Sequence, residues 1–408
     1  MIDKEHLLNS NHFCVLPFIH ACVWTDGRAI PCCINQNYIL GDTKTQKMSD
    51  IYSNSNVKLT EMQQQMINGP KLPESCNRCS LPEQTYGAHS YRWFSNRNYG
   101  DAFKKLEFDE NNNLVGNKIA TWDVRFSNLC NLKCRTCDHI NSSSIAEETV
   151  SSLKRKVPVL QKAFDEKNDF FEFFKNNLDS IEEIYFCGGE PLLLAEHYEI
   201  LDILVEHKKF DLVLRYNTNC TRLTFKDKNV VTDYWNLFKK VRLSLSLDAG
   251  WEQASIIRNG STWDNILSNL RTIKQNCPDI YLQLCPTISI LNAFHLPKMH
   301  LFLADEGIIH IDNIYYNILT DPVMYNLTSL PKDKKELVEQ HWLEYAKKCE
   351  SYTLTDVTIN EIHKVIKYMY SDDTQTEIDN LKIETKLLDG IRKENTIELF
   401  PELKGLLE

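Results

Sequence analysis

Residues 130–137 read C-N-L-K-C-R-T-C. Cys130, Cys134 and Cys137 fall within eight residues, with three residues in the first gap and two in the second. A structural zinc site usually pairs two C-x2-C knuckles to reach four ligands. Here Cys134 and Cys137 make one knuckle, and Cys130 adds a third thiolate with no fourth nearby. A cubane [4Fe–4S] cluster normally takes four cysteines. Three would leave one iron with an open position, and open positions are where metal chemistry takes place.

The flanking residues say how such a loop is delivered. Ile119, Thr121, Asp123 and Arg125 alternate with Ala120, Trp122, Val124 and Phe126, the period of a strand, and S-N-L then breaks the run. A second apolar strand, Ile184-Tyr185-Phe186, runs into Cys187-Gly188-Gly189-Glu190-Pro191. Glycine is scarce, 13 in 408 residues, so a Gly-Gly pair leaving a strand points to a close backbone approach. With strand, three-cysteine loop, helix, strand and GGEP in this order, the sequence resembles the radical S-adenosylmethionine (SAM) superfamily. The resemblance implies that Cys130, Cys134 and Cys137 hold a [4Fe–4S] cluster with an open iron, chelated by the amino and carboxylate groups of SAM. It also implies that Gly188, Gly189 and Glu190 bind the SAM amino group, for which carbonyls and a carboxylate are good acceptors. The competing reading is a structural zinc or iron knob beside a coincidental GGEP.

Composition narrows the class. The chain is long enough for two or three units, and its 42% hydrophobic and 25% charged residues are ordinary for a globular protein. A net charge of −10 argues against generic nucleic-acid binding, which needs a basic face. The charged start M-I-D-K-E-H reads as no signal peptide, and no apolar run is long enough to span a bilayer. Fourteen cysteines without a secretion signal predict a reducing, cytoplasmic setting and metal ligation.

Near the N-terminus, apolar residues flank T-D-G-R, which predicts a hairpin turning at Asp26-Gly27, with Cys14 on the first arm and Cys32 and Cys33 ending the second. The interval from Cys14 to Gly27 and on to Cys32 resembles the C-x(9–15)-G-x4-C opening of twitch and SPASM modules, which carry auxiliary clusters in many radical SAM enzymes. Cys76 and Cys79 supply a further knuckle. Together Cys14, Cys32, Cys76 and Cys79 are the expected ligands of an auxiliary [4Fe–4S] cluster, closed by protein on every iron. A zinc ribbon with the same four thiolates is the alternative. Only one of Cys32 and Cys33 is needed, since strand neighbours face opposite ways, and Cys22 reads as a packed thiol. Met48 to Met66 is expected to be one helix capped near Ser49-Asp50, and the aromatic run from Tyr91 to Tyr99 to be packing.

Beyond the loop, Asn141 and Ser142 suit a helix cap. Lys133 and Arg135 lie between the cysteines, either offsetting cluster charge or, for at least one, as solvated surface. A helix over 159–179 carries Phe170, Phe171, Phe173 and Phe174. Helices are also expected over 192–210, 230–240 and 296–306, and strands over 212–216, 241–247, 281–290 and 309–319. That makes an α/β fold: a partial (β/α)6 radical SAM barrel at 113–325, an N-terminal small α+β twitch-like Fe–S module at 1–112 and a helical C-terminal extension at 326–408. In the extension Leu337, Trp342, Leu343, Tyr345 and Ala346 mark one apolar face, and Ile362, Val365, Ile366 and Met369 another. By resemblance, strand-end Asn219, Ser246 and Asp248, with Arg258 in I-I-R-N-G-S, complete a SAM site. The arginine would pair with the SAM carboxylate.

The resemblance implies an enzyme that takes an electron from a flavodoxin- or ferredoxin-type donor and reductively cleaves SAM to a 5′-deoxyadenosyl radical. That radical removes hydrogen from a substrate. Twitch and SPASM relatives often modify peptides, so a peptide ranks first, ahead of a sugar or alcohol undergoing dehydrogenation or rearrangement. A non-enzymatic iron–sulfur scaffold or electron-transfer protein is the reading from another class.

Overall fold

The computed structural model describes residues 2–86, 89–116, 118–353 and 355–408. The chain is mixed α/β with parallel strands, and it divides into two compact units. The first comprises residues 1–129, 160–215 and 237–240, and the second residues 130–159, 216–236 and 241–408. No helix of the described residues is long and apolar enough to cross a membrane.

In the first unit Glu183–Phe186, Thr121–Val124 and His20–Val23 are parallel neighbours, and Arg28–Ile30 and Gly41–Asp42 continue the sheet antiparallel. Alternation gives the sheet two unlike faces. Trp122, Val124, Ile184 and Phe186 are buried on one side, where Trp122 meets Phe170, Phe173 and Phe174 of helix Lys167–Asn176 at centroid distances of 5.1–5.8 Å. Each such ring is worth about 1.5–3 kcal/mol of burial. The other side carries His20, Cys22, Asp123 and Glu183, all buried. The expected hairpin is present: Cys22 faces Ile30, and Gly27 turns the chain at φ +95°. A Cβ on Gly27 would meet the Asp42 carboxylate at 2.8 Å, so the turn needs glycine. Cys14 is not on the strand arm, because the one-turn helix Leu16–Ile19 intervenes.

The expected helix from Met48 to Met66 is two, Met48–Ile51 and Val57–Asn68. Ser53 donates to the Asp50 carbonyl and Asn56 to that of Ile51, so side chains of the S-N-S-N stretch take over backbone groups. Asp50 sits inside the first turn; the Met48 amide is capped instead by Asp169, at 2.8 Å.

In the second unit the parallel strands Lys240–Leu245 and Tyr281–Leu284 place Leu245 opposite Leu284. The fifth strand stops at Cys285-Pro286, where proline has no amide to donate, and resumes as Thr287–Ile288. That segment pairs with Asn317–Ile318, all that forms of the strand expected over 309–319 apart from one bridge from Ile314 to Leu284. The helix expected over 230–240 shrinks to Val230–Asp233 and a 3-10 turn, Trp235–Leu237. The C-terminal region is helical, with long helices Lys332–Cys349, Asp356–Met369 and Ile378–Arg392. Trp342, Tyr345, Ala346, Ile362, Val365, Ile366 and Met369 are buried, whereas Leu337 and Leu343 are exposed and do not belong to the apolar face assigned to them.

Candidate active site and cysteine centres

In the second unit Lys133–Cys134 forms a short antiparallel pair with Arg258–Asn259, setting Cys134 opposite Arg258. The arginine's Nη1 lies 3.7 Å from Cys134 Sγ, and its Nε makes a 2.8 Å ion pair with Asp248. Asp248 also accepts the Thr287 amide at 2.8 Å. The structure therefore brings Cys134, Arg258 and Asp248 together. Ser246, two residues from Asp248, donates its amide to the Thr218 carbonyl at 2.9 Å.

Asn219 joins the end of its strand to the cysteine loop. Its Nδ2 donates to Asn131 Oδ1 at 3.1 Å, and its Oδ1 accepts from the Thr221 amide and hydroxyl; Asn131 in turn donates to Thr221 Oγ1 at 2.8 Å. Gly260, at φ +99°, packs so closely that a Cβ would stand 3.0 Å from the Asn131 carbonyl. The serines after the loop pin it from the other end. Ser144 donates to the Cys130 carbonyl at 2.7 Å, Ser142 to that of Leu132 at 2.7 Å, and the Cys130 amide donates to Ser143. Ser142 also caps helix Ser143–Ser151, as its position predicts.

The two cations between the cysteines have firm partners. Lys133 is 3.3 Å from Glu148, which also takes a two-point contact from Arg392. Arg135 is no surface residue: its side chain is wholly buried. Its Nη2 donates to Asp389, Glu394 and Thr396 at 2.7, 2.7 and 2.9 Å, and its amide donates to the Ile257 carbonyl. Asn259 donates to the same Glu394 at 2.6 Å. The C-terminal segment thus holds the cysteine loop by its arginine, a role invisible in sequence because the partners lie more than 250 residues away.

In the first unit, Gly188 (φ +85°) and Gly189 follow Phe186 and Cys187. A Cβ on Gly189 would fall 2.1 Å from the carbonyl of Leu129, the residue before Cys130, and the Glu190 amide donates to that carbonyl at 2.7 Å. The close approach predicted for the glycine pair is thus made to the chain entering the cysteine loop. Glu190 is buried and accepts the Leu192 amide at 3.2 Å.

Also in this unit, Cys14, Cys32, Cys76 and Cys79 line one cavity with Leu16, Ile34, Leu72, Asn35, Tyr91 and Arg92. Arg92 ties the two halves together. It donates to the carbonyls of Ser10 and Phe13, beside Cys14, and to both oxygens of Glu83, on the helix Asn77–Tyr86 that carries Cys79. Asn96 braces the same stretch, accepting the Val15 amide and donating to the Phe13 carbonyl. Asn35 Nδ2 lies 3.6 Å from Cys76 Sγ, a donor aimed at sulfur. Neither Arg92 nor Asn96 carries a sequence signal of its own.

Each cysteine set has a nitrogen donor facing one of its sulfurs, Arg258 at Cys134 and Asn35 at Cys76. Burial pushes the Cys134 thiol up, with Arg258 opposing, and burial likewise raises Cys14 and brings Cys76 to about 11. Cys134, Cys14 and Cys76 are therefore protonated at neutral pH when metal-free, and binding a metal through them releases protons.

Comparison with known proteins finds two family matches on the chain. Residues 124–291 match the radical SAM superfamily, and residues 14–80 match SPASM, an iron–sulfur cluster-binding domain. No curated protein sequence matches the chain. Among solved structures, native anSMEcpe with bound AdoMet is similar over 56% of this chain and 60% of that one, at 18% identity and a TM-score of 0.39. The same protein with AdoMet and the Cp18Cys peptide is similar over 53% and 57%, at 17% identity and a TM-score of 0.34. TYW1 with a lysine-pyruvate adduct is similar over 58% and 72%, at 15% identity and a TM-score of 0.29. The chain spans about three fifths of the length of the anSMEcpe structures. The chain thus carries a radical SAM region over residues 124–291 and a SPASM-type iron–sulfur module over residues 14–80, regions of the kind that hold a [4Fe–4S] cluster with S-adenosylmethionine and an auxiliary iron–sulfur cluster.

Proposed function

We propose that the enzyme removes hydrogen from a peptide substrate and so modifies it, with Cys130, Cys134 and Cys137 holding the catalytic cluster and Cys14, Cys32, Cys76 and Cys79 the auxiliary one. The observation that carries the ligand assignment is the pairing of Cys134 with Arg258 and Asp248 around a loop whose third cysteine, Cys137, is exposed. When bound, the cluster and SAM supply reductive cleavage to a 5′-deoxyadenosyl radical. The chain's own part is positional. Arg258 places a guanidinium beside a ligand sulfur, where it offsets thiolate charge and can meet a carboxylate. Asp248 fixes that guanidinium, and Asn219 fixes the loop through Asn131. Gly188, Gly189 and Glu190 present backbone groups and a carboxylate for the SAM amino group. The peptide as substrate is supported by the SPASM-type module, whose other bearers often act on peptides, and a flavodoxin- or ferredoxin-type protein would supply the electron.

The test is anaerobic reconstitution with assays of iron, sulfide and zinc, and electron paramagnetic resonance of the reduced protein before and after SAM. About eight irons, with one of two signals shifted by SAM, is expected, one cubane per site. About four irons plus zinc would make the N-terminal centre structural. No SAM effect on any signal would overturn the catalytic assignment. Incubation with candidate peptides, followed by mass spectrometry for a product lighter or cross-linked by hydrogen loss, tests the substrate class; turnover of a sugar or alcohol instead would refute the peptide.

A further inference from the structure

The polar side of the first unit's sheet holds a third group of metal-type ligands, outside both cysteine centres. His20 and Cys22 lie on one strand and Asp123 on its parallel neighbour, with His20 opposite Thr121 and Cys22 opposite Asp123. Residues two apart on a strand share a face, so register alone gathers the three. A ring nitrogen of His20, Cys22 Sγ and an Asp123 oxygen lie within 4.8 Å of one another, and all three residues are buried. That register is unreadable from the sequence, where a hundred residues separate the strands.

Three details distinguish this cluster from an ordinary buried polar knot. His20 Nδ1 lies 2.8 Å from Thr121 Oγ1 and 3.2 Å from the Thr121 carbonyl. In the tautomer whose Nδ1–H donates to that carbonyl, Nε2 presents a lone pair, the arrangement of a metal-ligating histidine with its outer partner in place. Nε2 itself has no hydrogen-bond partner, although His20 is only 6% exposed. An orphaned acceptor at that depth is costly unless something fills it. Finally, the carboxylate is already oriented from behind. Arg125 donates to both oxygens of Asp123 at 3.2 Å while stacking on Trp24, and the Cys187 thiol donates to Oδ1 at 3.0 Å. The Cys22 thiol points at Oδ2 from 3.6 Å.

We propose that His20, Cys22 and Asp123 form a mononuclear site for a borderline-soft divalent cation of the zinc class. Imidazole, thiolate and carboxylate together suit zinc or cobalt; magnesium and calcium want oxygen alone. Tetrahedral zinc holds such donors about 3.3–3.8 Å apart, so a modest contraction closes the site. Charge also balances. The Arg125–Asp123 pair is neutral, and the cation displaces one proton from Cys22 and, when Cys187 joins as a thiolate, a second, both released to solvent. No electron moves. The inference does not depend on the catalytic assignment, because none of its ligands belongs to either cluster.

The full-length protein, with both iron–sulfur centres loaded, would be titrated anaerobically with cobalt(II) as a spectroscopic stand-in for zinc. The expected result is one tightly held equivalent with thiolate-to-cobalt and tetrahedral bands, lost in Cys22→Ser and His20→Gln while the iron content stays at the wild-type value. X-ray absorption at the cobalt edge of the wild-type protein makes the test independent of how the variants fold, and should show one or two sulfurs with nitrogen and oxygen. Three or four sulfurs would place the metal in a cysteine centre and overturn the proposal. No cobalt uptake, or equal uptake by wild type and both variants, would overturn it as well.

Discussion

The cavity shared by Cys14, Cys32, Cys76 and Cys79 is walled by Leu16, Ile34 and Leu72, whereas the loop from Cys130 to Cys137 is framed by charge: Arg258, Asp248, Arg135, Asp389, Glu394, Lys133, Glu148 and Arg392. Within the first set, hydrophobic packing and one buried arginine, Arg92, fix where the thiols stand. In the second, ion pairs fix the loop while Cys137 remains exposed. A cofactor closed on all sides by protein can sit in an apolar pocket, since nothing else has to reach it. A centre that must also take a zwitterionic ligand needs charges, and these must be held so that they neither collapse onto one another nor wander. The surroundings therefore argue for different duties at two sites built from the same residue type.

The largest effects should come from the ligands themselves. Cys134→Ala should abolish SAM cleavage and the SAM-responsive signal, and remove about four of about eight irons. Cys76→Ala should remove a similar share and leave the SAM response. If both variants lose all iron together, the two centres are not independent and the contrast fails. Next in size is Arg92→Met, which breaks the two-point contact to Glu83 and leaves the Phe13 carbonyl with Asn96 as its remaining side-chain donor. A buried pair broken on one side costs about 3–5 kcal/mol. Auxiliary iron should fall while the SAM-responsive iron is kept; equal loss from both would show that Arg92 supports the whole chain and not that pocket.

A smaller effect tests the charged frame. Asp389 accepts from Arg135 at 2.7 Å and from the Thr396 amide and hydroxyl at 2.9 and 2.6 Å. Asp389→Asn should cost about 2 kcal/mol, the scale of a hydrogen bond to a charged group. It should make the C-terminal segment easier to cleave by protease and lower the fraction of cluster that responds to SAM, with auxiliary iron unchanged. A full SAM response from a readily cleaved segment would separate the tail from the loop.

What could be read in the sequence follows from how local each signal is. The cysteine spacings, the Gly-Gly close approach and the turn at Gly27 are written within a few residues, and each is present. The Phe170–Phe174 helix face was legible because burial obeys a period. The helix from Met48 was over-extended because propensity does not foresee Ser53 and Asn56 bonding to the backbone. Arg135 was open between offsetting cluster charge and solvated surface, because the sequence shows only its neighbours; its partners arrive from the far end of the chain. Cys22 is the packed thiol that its sequence suggests, fully buried, and what the sequence hides is Asp123 beside it, which reaches it only through strand register.

The smallest effect concerns pH, and its sign separates the frame from the thiols. Glu148 is buried, which favours its neutral form, yet its carboxyl is held below the usual glutamate range because Arg392, and then Lys133, outweigh that desolvation. A carboxylate whose folded value is depressed adds stability that is fully present above its unfolded value, near 4.5, and is lost as the pH falls through the lower folded value. Glu148→Gln should therefore destabilise the metal-free protein by about 2 kcal/mol. The gap from wild type, read by urea denaturation, should stay constant from pH 8 to about 5 and close only in stronger acid. Over the same range cluster loading should rise with pH, because the raised thiols of both sites must lose protons to bind metal. A gap that changed between pH 5 and 8 would mean that Glu148 is not held ionised by Arg392 and Lys133, and the charged frame around the loop would lose its anchor.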